Sequence, residues 1–215
     1  FKWDDEYKYN RGKVLNKEDL DKIENFGRYL DVDNDGICYR TYPGTHPEKG
    51  AFFTRGTSHD EYARYTEDGE VNAATLSRLM KKFRTASELV PKPVIEINGE
   101  DSCGVIFYGS TSPAVHEAKD ILKEKEINID LMQIRSFPFN LDVWEFIANH
   151  DRIYVVEQNR DSQMRTLIMA EGGISPEILR PLVHFTGDPI QASYIVNKIS
   201  EREVNYKSHI NAKKR

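Results

Sequence analysis

Short apolar runs recur in the second half of the chain and alternate with amphipathic segments. The run 104–109 is continuous and rich in β-branched and aromatic residues, which is typical of a strand covered on both faces. The pattern predicts further strands at 129–134, 152–157 and 179–185, the last of them edge-like because Pro181 lacks a backbone donor. Each strand is followed by apolar positions at helical spacing, and the predicted helices begin near Ser112, Asn140, Ser162 and Asp188.

Four successive strand–helix units predict a fold class. Strands joined through helices are parallel and connect by right-handed crossovers, with helices on both faces of the sheet. We therefore expect a three-layer α/β domain with a mostly parallel sheet over residues 91–203, followed by a basic tail at 204–215.

The first half is polar, aromatic and rich in turns, and predicts a loop-rich and helical extension over residues 1–90. A helix is predicted at 72–89, with one apolar stripe, and ends before Pro91. The stripe consists of Leu76, Leu79, Met80, Phe83 and Leu89. A shorter helix is predicted at 17–29, capped by Asn16. Residues 30–70 are too aromatic for a flexible linker, and a loop of this length indicates a packing partner.

Composition excludes several function classes. The 215 residues carry a net charge of −5, which disfavours general attraction to nucleic acid or anionic lipid. No apolar run reaches the ~18 residues of a membrane span, and a reducing cytoplasm is expected. Two cysteines, Cys38 and Cys103, are too few for an iron–sulfur cluster, which takes about four thiolates. The chain opens on Phe1 rather than methionine, which indicates a cut from a longer chain.

An acidic loop offers a candidate metal site. Asp31, Asp33, Asp35 and Gly36 match the first half of an EF-hand calcium loop, where alternating carboxylates supply hard oxygen ligands. Tyr42, however, occupies the position that requires a bidentate glutamate. The alternative is an Asx turn, in which the carboxylates accept hydrogen bonds from nearby backbone amides.

A second candidate is the loop around Arg55 and His59. It combines a cation and a titratable ring with hydroxyl and carboxylate neighbours. Such a loop suits anion or substrate handling when a rigid scaffold carries it. A hydrogen-bonded interface loop would use the same residue types.

Polar residues also follow two predicted strands, where open α/β sheets bind ligands. After the first strand, a glycine–hydroxyl turn precedes a helix N-terminus, which suits an anion, although a plain capped turn has the same composition. After the third strand, clustered amide, carboxylate and guanidinium groups indicate a polar contact surface or a salt-bridged turn. The candidates are Gly109, Ser110, Thr111, Glu157, Asn159 and Arg160.

The order of several motifs adds a family resemblance over roughly residues 1–203. Together they resemble the alpha subunits of 2-oxoglutarate:ferredoxin oxidoreductases and related 2-oxoacid enzymes. The motifs are Tyr29–Asp33, Tyr39–Thr41, Pro43–Pro47, Phe53–Gly56, Tyr65–Asp68, Leu89–Pro93, Tyr108–Thr111, Arg135–Phe139 and Val155–Asp161. The sequence departs from the family at Ser58, Ala63 and Ser162, where glycine is frequent, so tight turns there are in question.

The resemblance implies a function that this chain would share in part. Enzymes of the family use thiamine diphosphate, magnesium, an iron–sulfur cluster and coenzyme A to decarboxylate a 2-oxoacid oxidatively to an acyl-CoA, and they pass the electrons to ferredoxin. Residues 91–203 would be similar to the C-terminal domain of transketolase, and residues 1–90 would lead out of a pyrimidine-type thiamine domain that is absent here. The resemblance therefore implies a structural part without catalytic residues or a bound cofactor, whose partners are the rest of the alpha subunit and the beta subunit. The alternative is a free-standing α/β binding or regulatory module that responds to calcium through Asp31, Asp33 and Asp35.

Overall fold

The computed structural model describes residues 4–54, 58–99 and 103–213, with side chains described up to residue 206. The chain divides into two compact units. Unit 1 extends to Leu89 and unit 2 begins at Val90.

Unit 2 contains a five-stranded sheet in the order β1-β3-β2-β4-β5. The strands β2, β3, β4 and β5 are parallel, whereas β1 pairs antiparallel with β3 at the edge. The strands are β1 (Val94–Glu96), β2 (Cys103–Tyr108), β3 (Ile129–Ile134), β4 (Ile153–Glu157) and β5 (Leu179–Val183). The helices are α3 (Ser112–Glu124), α4 (Leu141–Ala148), α5 (Gln163–Gly172) and α6 (Ala192–Lys213), and a 3₁₀ turn covers Gly109–Thr111. The predicted α/β class is confirmed.

The core of unit 2 forms two layers because successive residues of a strand point to opposite faces of the sheet. Val105 and Phe107 face α3 and α6, whereas Ile106 faces α4 and α5. All three side chains are at most 1% exposed. The continuous apolar run at 104–109 is therefore explained by burial on both faces.

Two features of unit 2 differ from the sequence-based expectation. The edge strand β1 was not predicted, since its three residues are half-exposed and show no apolar alternation. Helix α6 continues to Lys213, so helix extends over most of the segment 204–215, which composition alone had assigned to a tail.

The first helix of unit 1, α1 (Lys17–Lys22), is shorter than the predicted 17–29. It begins with a capping box, in which the Asn16 side chain accepts from the Asp19 amide and the Asp19 side chain accepts from the Asn16 amide. The Lys49 ammonium donates to the carbonyl oxygens of Leu20 and Ile23 at 3.0 and 2.5 Å. The ammonium satisfies carbonyl oxygens at the C-terminus of the helix, where Ile23 leaves helical geometry with φ −94° and ψ 114°.

The second helix of unit 1, α2 (Gly69–Leu89), forms as predicted but exposes its apolar stripe. Leu76 is 54% and Met80 59% exposed, and the helix has no buried residue. Among the described residues of unit 1, the buried apolar side chains are Leu20 and Ala63 alone. Unit 1 therefore has almost no hydrophobic core of its own.

Candidate functional site

The carboxyl ends of β2 and β4 form the candidate site in unit 2. The chain leaves β2 through α3 towards β3 on one side, and leaves β4 through α5 towards β5 on the other. The two connections leave in opposite directions between β2 and β4. Open α/β sheets bind ligands at such a topological switch point, and we call the region between Gly109–Thr111 and the segment after β4 the crevice.

Gln158 joins three loops at this crevice. Its Nε2 lies 3.4 Å from Ser110 Oγ and 3.3 Å from Thr111 Oγ1. Its Oε1 accepts from the backbone amide of Ile190 at 3.2 Å. The structure thus brings Ser110 and Thr111 next to the segment after β4, as parallel strands require. Gly109 adopts φ +58° beside them, in the region that favours glycine.

Glu157 is fully buried and anchors the start of α5. Oε2 accepts from Asn159 Nδ2 and from the Met164 amide, both at 2.8 Å, and Oε1 accepts from the Arg165 amide at 3.0 Å. The carboxylate therefore binds the positive end of the helix. The pKa of Tyr108 is raised by burial first and by the charge of Glu157 second. Glu157 is oriented by these bonds and does not point free into the crevice.

The neighbouring polar residues are likewise bonded within the chain. Asn159 Oδ1 accepts from the amides of Asp161 and Gln163 at 3.1 and 3.3 Å. The Arg160 guanidinium pairs with Asp161 at 2.7 Å, and its side chain is 75% exposed. This is the arrangement of the salt-bridged turn, and ligand binding at the crevice stays a prediction.

Tight turns form at two of the positions where glycine was expected. Ser162 adopts φ +51° immediately before α5, and Ala63 adopts φ +68° in unit 1. A side chain in this region costs on the order of 1–2 kcal/mol. The turns are therefore kept at some cost in strain.

The acidic loop of unit 1 surrounds a lysine. Lys13 Nζ lies 2.6 Å from Asp33 Oδ2 and 2.7 Å from Asp35 Oδ2, and it also donates to the Ile37 carbonyl at 3.1 Å. Hydrogen bonds from this ammonium lower the pKa of both carboxylates. Asp31 accepts from the amides of Asp35 and Gly36, as in the Asx-turn alternative. Across the described ranges, no group of three or more metal-ligating side chains could hold an ion.

The same loop packs closely against α2. Gly36 adopts φ +79°, and a Cβ there would lie 2.3 Å from the Lys82 amide nitrogen. Its carbonyl accepts from Arg78 at 3.0 Å, and the Asp35 carbonyl accepts from Thr85 at 2.5 Å. Glycine is needed here for both the backbone angle and the close approach.

Of the remaining candidates, Arg55 lies outside the described residues. His59 stacks on Tyr29 with ring centroids 3.9 Å apart, and its Nδ1 lies 3.0 Å from the Asp60 carbonyl oxygen. His59 belongs to unit 1, whereas the crevice residues belong to unit 2. These contacts are those of a hydrogen-bonded loop.

Sequence reasoning missed Lys13, which organises the acidic loop, and left Gln158, which organises the crevice, out of the candidate residues. Lys13 is distant in sequence from the carboxylates that it pairs with, so no local pattern connects them. The motif around Glu157 did contain Gln158, and its position after a strand was the available signal. In the part of the chain that the structure describes, none of the helices is long and apolar enough to span a membrane.

Comparison with known proteins shows what the chain is similar to. The chain is 28% identical over 195 residues to 2-oxoacid:ferredoxin oxidoreductase 2, subunit alpha, of Aeropyrum pernix, covering 88% of this chain. It is 25% identical over 171 residues to the 2-oxoacid:ferredoxin oxidoreductase subunit alpha of Saccharolobus solfataricus, covering 77% of this chain. The chain is homologous to the alpha subunits of 2-oxoacid:ferredoxin oxidoreductases.

The matched region is only part of these alpha subunits. The chain spans 28% of the length of the Aeropyrum relative and 26% of that of the Saccharolobus relative. The fold matches the 2-oxoglutarate:ferredoxin oxidoreductase of Magnetococcus marinus, solved with 2-oxoglutarate, coenzyme A and succinyl-CoA bound, with a TM-score of 0.73 and 22% identity. That match covers 84% of this chain and 31% of the other. No family model matches the sequence.

Proposed function

We propose that the chain is the C-terminal part of the alpha subunit of a thiamine-dependent 2-oxoacid:ferredoxin oxidoreductase, with 2-oxoglutarate as the favoured substrate. The complete enzyme would decarboxylate the 2-oxoacid oxidatively to an acyl-CoA and pass the electrons to ferredoxin in the cytoplasm. The homology to alpha subunits, extending over most of this chain and about a quarter of theirs, carries the proposal.

Within that enzyme, we assign this part of the chain to structure and subunit assembly. Unit 1 exposes many large apolar side chains although it buries almost none. They are Tyr7, Tyr9, Val32, Tyr42, Phe52, Phe53, Tyr62, Tyr65, Leu76, Met80, Phe83 and Leu89, each more than a third exposed. Apolar surface on this scale is typical of a face that a partner covers. The rest of the alpha subunit and the beta subunit are the proposed partners.

We place the cofactors of such an enzyme outside this chain. Cys38 lies in unit 1 and Cys103 is fully buried in unit 2, so the two thiols cannot provide the set of about four that an iron–sulfur cluster takes. The acidic loop is paired with Lys13, and the crevice carboxylate Glu157 is bonded to backbone amides. We therefore assign thiamine diphosphate, magnesium, the cluster and coenzyme A to other parts of the enzyme.

Unit 2 supplies the α/β domain of this assembly. We assign it to the class similar to the C-terminal domain of transketolase, because the sheet is mostly parallel with one antiparallel edge strand and covered by helices on both faces. Its crevice residues would then serve as a contact surface for a neighbouring domain.

Calorimetric titration of the isolated chain with thiamine diphosphate and magnesium tests the assignment of the cofactor. We expect no saturable binding and no reduction of ferredoxin by 2-oxoglutarate and coenzyme A. Tight saturable binding by the chain alone would contradict a purely structural role.

A further inference from the structure

Three arginine side chains meet at the amino end of β4 and β5, at the opposite end of the sheet from the crevice. Arg152 directly precedes β4, and Arg180 is the second residue of β5. Arg202 reaches the same place from the middle of α6, where it donates to the Pro181 carbonyl of β5. Tyr154 of β4 lies among them, because it pairs in register with Arg180 and has the Arg202 guanidinium 5.7 Å from its ring centroid.

One buried carboxylate takes up the charge of the first arginine. Glu203 is 2% exposed, and its two oxygens accept from Arg152 Nε at 3.1 and 2.9 Å. Its Oε1 also accepts from the Tyr154 hydroxyl at 2.8 Å. Burial first, and the charge of Glu203 second, raise the pKa of Tyr154, so this hydroxyl stays protonated. The carboxylate is thus directed at Arg152 and Tyr154.

The other two arginines keep most of their hydrogen-bond donors. Arg180 Nη1 lies 3.4 Å from the Tyr154 hydroxyl oxygen, and Arg202 Nη1 donates to the Pro181 carbonyl at 2.9 Å. A guanidinium group has five N–H donors, so each side chain has several left. In the part of the chain that the structure describes, neither Arg180 nor Arg202 forms an ion pair with a carboxylate. Both side chains are half-buried, so water offsets their charge only in part.

Two tyrosine rings gather the guanidinium groups. The guanidinium carbon of Arg180 is 5.9 Å from the Tyr154 ring centroid and 5.5 Å from that of Tyr206. The guanidinium carbon of Arg152 is 4.3 Å from the Tyr206 centroid. An aromatic face attracts a cation but does not neutralise it. Glu203 therefore offsets one of the three positive charges, and the rings hold the other two close together.

We propose that Arg180 and Arg202 bind a small oxyanion that carries two negative charges, beside the ring of Tyr154. The planar fork of a guanidinium group matches a pair of oxygens on a carboxylate or a phosphate, and bonds of this kind are the stronger hydrogen bonds of proteins. Two negative charges would offset the two positive charges that Glu203 leaves. The site is independent of the proposed function, because it uses no residue of the crevice or of unit 1. Magnesium-bound thiamine diphosphate is not an anion of this kind, since the metal ion and the thiazolium ring offset the diphosphate charge.

The nitrogen and proton shifts of the arginine Nε groups in the full chain test the site. Inorganic phosphate and succinate are titrated separately, with sodium chloride keeping the ionic strength constant, so that a compact dianion is compared with one that has two separate carboxylates. We expect saturable shifts at Arg180 and Arg202, half-complete at about 1 mM or below with at least one of the two anions. Arg135, which is exposed after β3, should show none. Saturation with phosphate alone would identify a phosphoryl ligand, and saturation with succinate alone a dicarboxylate.

Matched variants separate binding at this site from general attraction to a cation. Arg180→Gln and Arg202→Gln should each weaken binding by at least about tenfold, because each removes charge-assisted hydrogen bonds. Arg135→Gln removes the same charge at an exposed position and should change binding by less than about twofold. Shifts that rise linearly with both anions in the wild type would overturn the site. Equal weakening by Arg135→Gln and by the two site variants would also overturn it.

Discussion

Replacement of Glu157 by glutamine tests how the crevice is held together. The carboxylate accepts three hydrogen bonds while fully buried, two of them from the first amides of α5. A glutamine side chain keeps one acceptor oxygen and puts an NH₂ group where the other was. At least one buried donor therefore loses its acceptor, and α5 loses the negative charge at its N-terminus.

The expected cost follows from these two losses. An unsatisfied buried donor costs about 1–3 kcal/mol, and the lost charge at the helix N-terminus about 0.3–2 kcal/mol. We expect Glu157→Gln to lower the free energy of unfolding of unit 2 by about 1–5 kcal/mol. Denaturant unfolding followed by the fluorescence of Trp144, whose ring packs on Gly172 of α5, measures it.

Two further measurements make this prediction specific. Asp161→Asn removes an exposed carboxylate from the same segment, and should change stability by less than about 1 kcal/mol because its pair with Arg160 is solvated. The pKa of Tyr108 should fall in Glu157→Gln, since the charge of Glu157 raises it, yet stay above the ordinary value because burial is the larger cause. A cost of less than about 1 kcal/mol for Glu157→Gln, equal to that of the control, would refute the reasoning.

Three shorter predictions concern other parts of the chain. Gly36→Ala should destabilise unit 1 by about 2–4 kcal/mol in thermal or denaturant unfolding, because Gly36 has a positive φ and its Cβ would overlap the Lys82 backbone. Gly44 also has a positive φ but has open space around it, so Gly44→Ala should cost only about 1–2 kcal/mol. Equal costs for the two variants would contradict the close packing at Gly36. Burial raises the pKa of the Cys103 thiol from 9.0 to about 12, so the stability that comes from the protonated thiol is complete below pH 9 and is lost as the pH rises to 12. The free energy of unfolding should therefore fall less steeply between pH 9 and 12 in Cys103→Ala than in the wild type, by up to about 1.4 kcal/mol per pH unit. Parallel pH profiles of the two proteins would count against this. Millimolar calcium and chelator should give the same melting temperature, and a calcium-dependent rise that Asp33→Asn abolishes would instead show a cation site.

The elements that sequence predicted well are those with a local physical signature. The buried strand β2 is apolar throughout, and β3 and β4 are mostly apolar. Ser112 and Asn140 stand at or just before the starts of α3 and α4. The parallel direction of these strands then followed from strand–helix alternation. In contrast, β1 is attached mainly through its pairing with β3 and through the bond from Asn98 to Asp130, which is 32 residues away along the chain. No local pattern records such a bond.

Unit 1 shows what helical spacing leaves open. The apolar stripe of α2 was predicted from that spacing, without a prediction of what covers it. In this chain Leu76 and Met80 are more than half exposed, because unit 1 supplies almost nothing to pack on them. Helical spacing identifies an apolar face, but it does not say whether the same chain covers it.

The candidate site was predictable in part for the same reason. Placement after parallel strands brings Ser110 and Glu157 to the same edge of the sheet, as expected. Their bonding states depend on Gln158 and on the first turn of α5, which require the folded geometry. Lys13 likewise reaches Asp33 only through the fold.

Co-purification from native cells is the measurement that tests the central claim most directly. Tagged wild-type chain is compared with Met80→Asp, which places a charge in the exposed apolar stripe, and with Ser77→Asp, which places the same charge at the next exposed position of α2. We expect wild type and Ser77→Asp to co-purify with the remaining subunit polypeptides and with ferredoxin reduction that depends on a 2-oxoacid and coenzyme A. With Met80→Asp, we expect at least tenfold less co-purified subunit polypeptide and at least tenfold less ferredoxin reduction. Wild-type chain that purifies alone, without this activity, would contradict the proposed role in the enzyme.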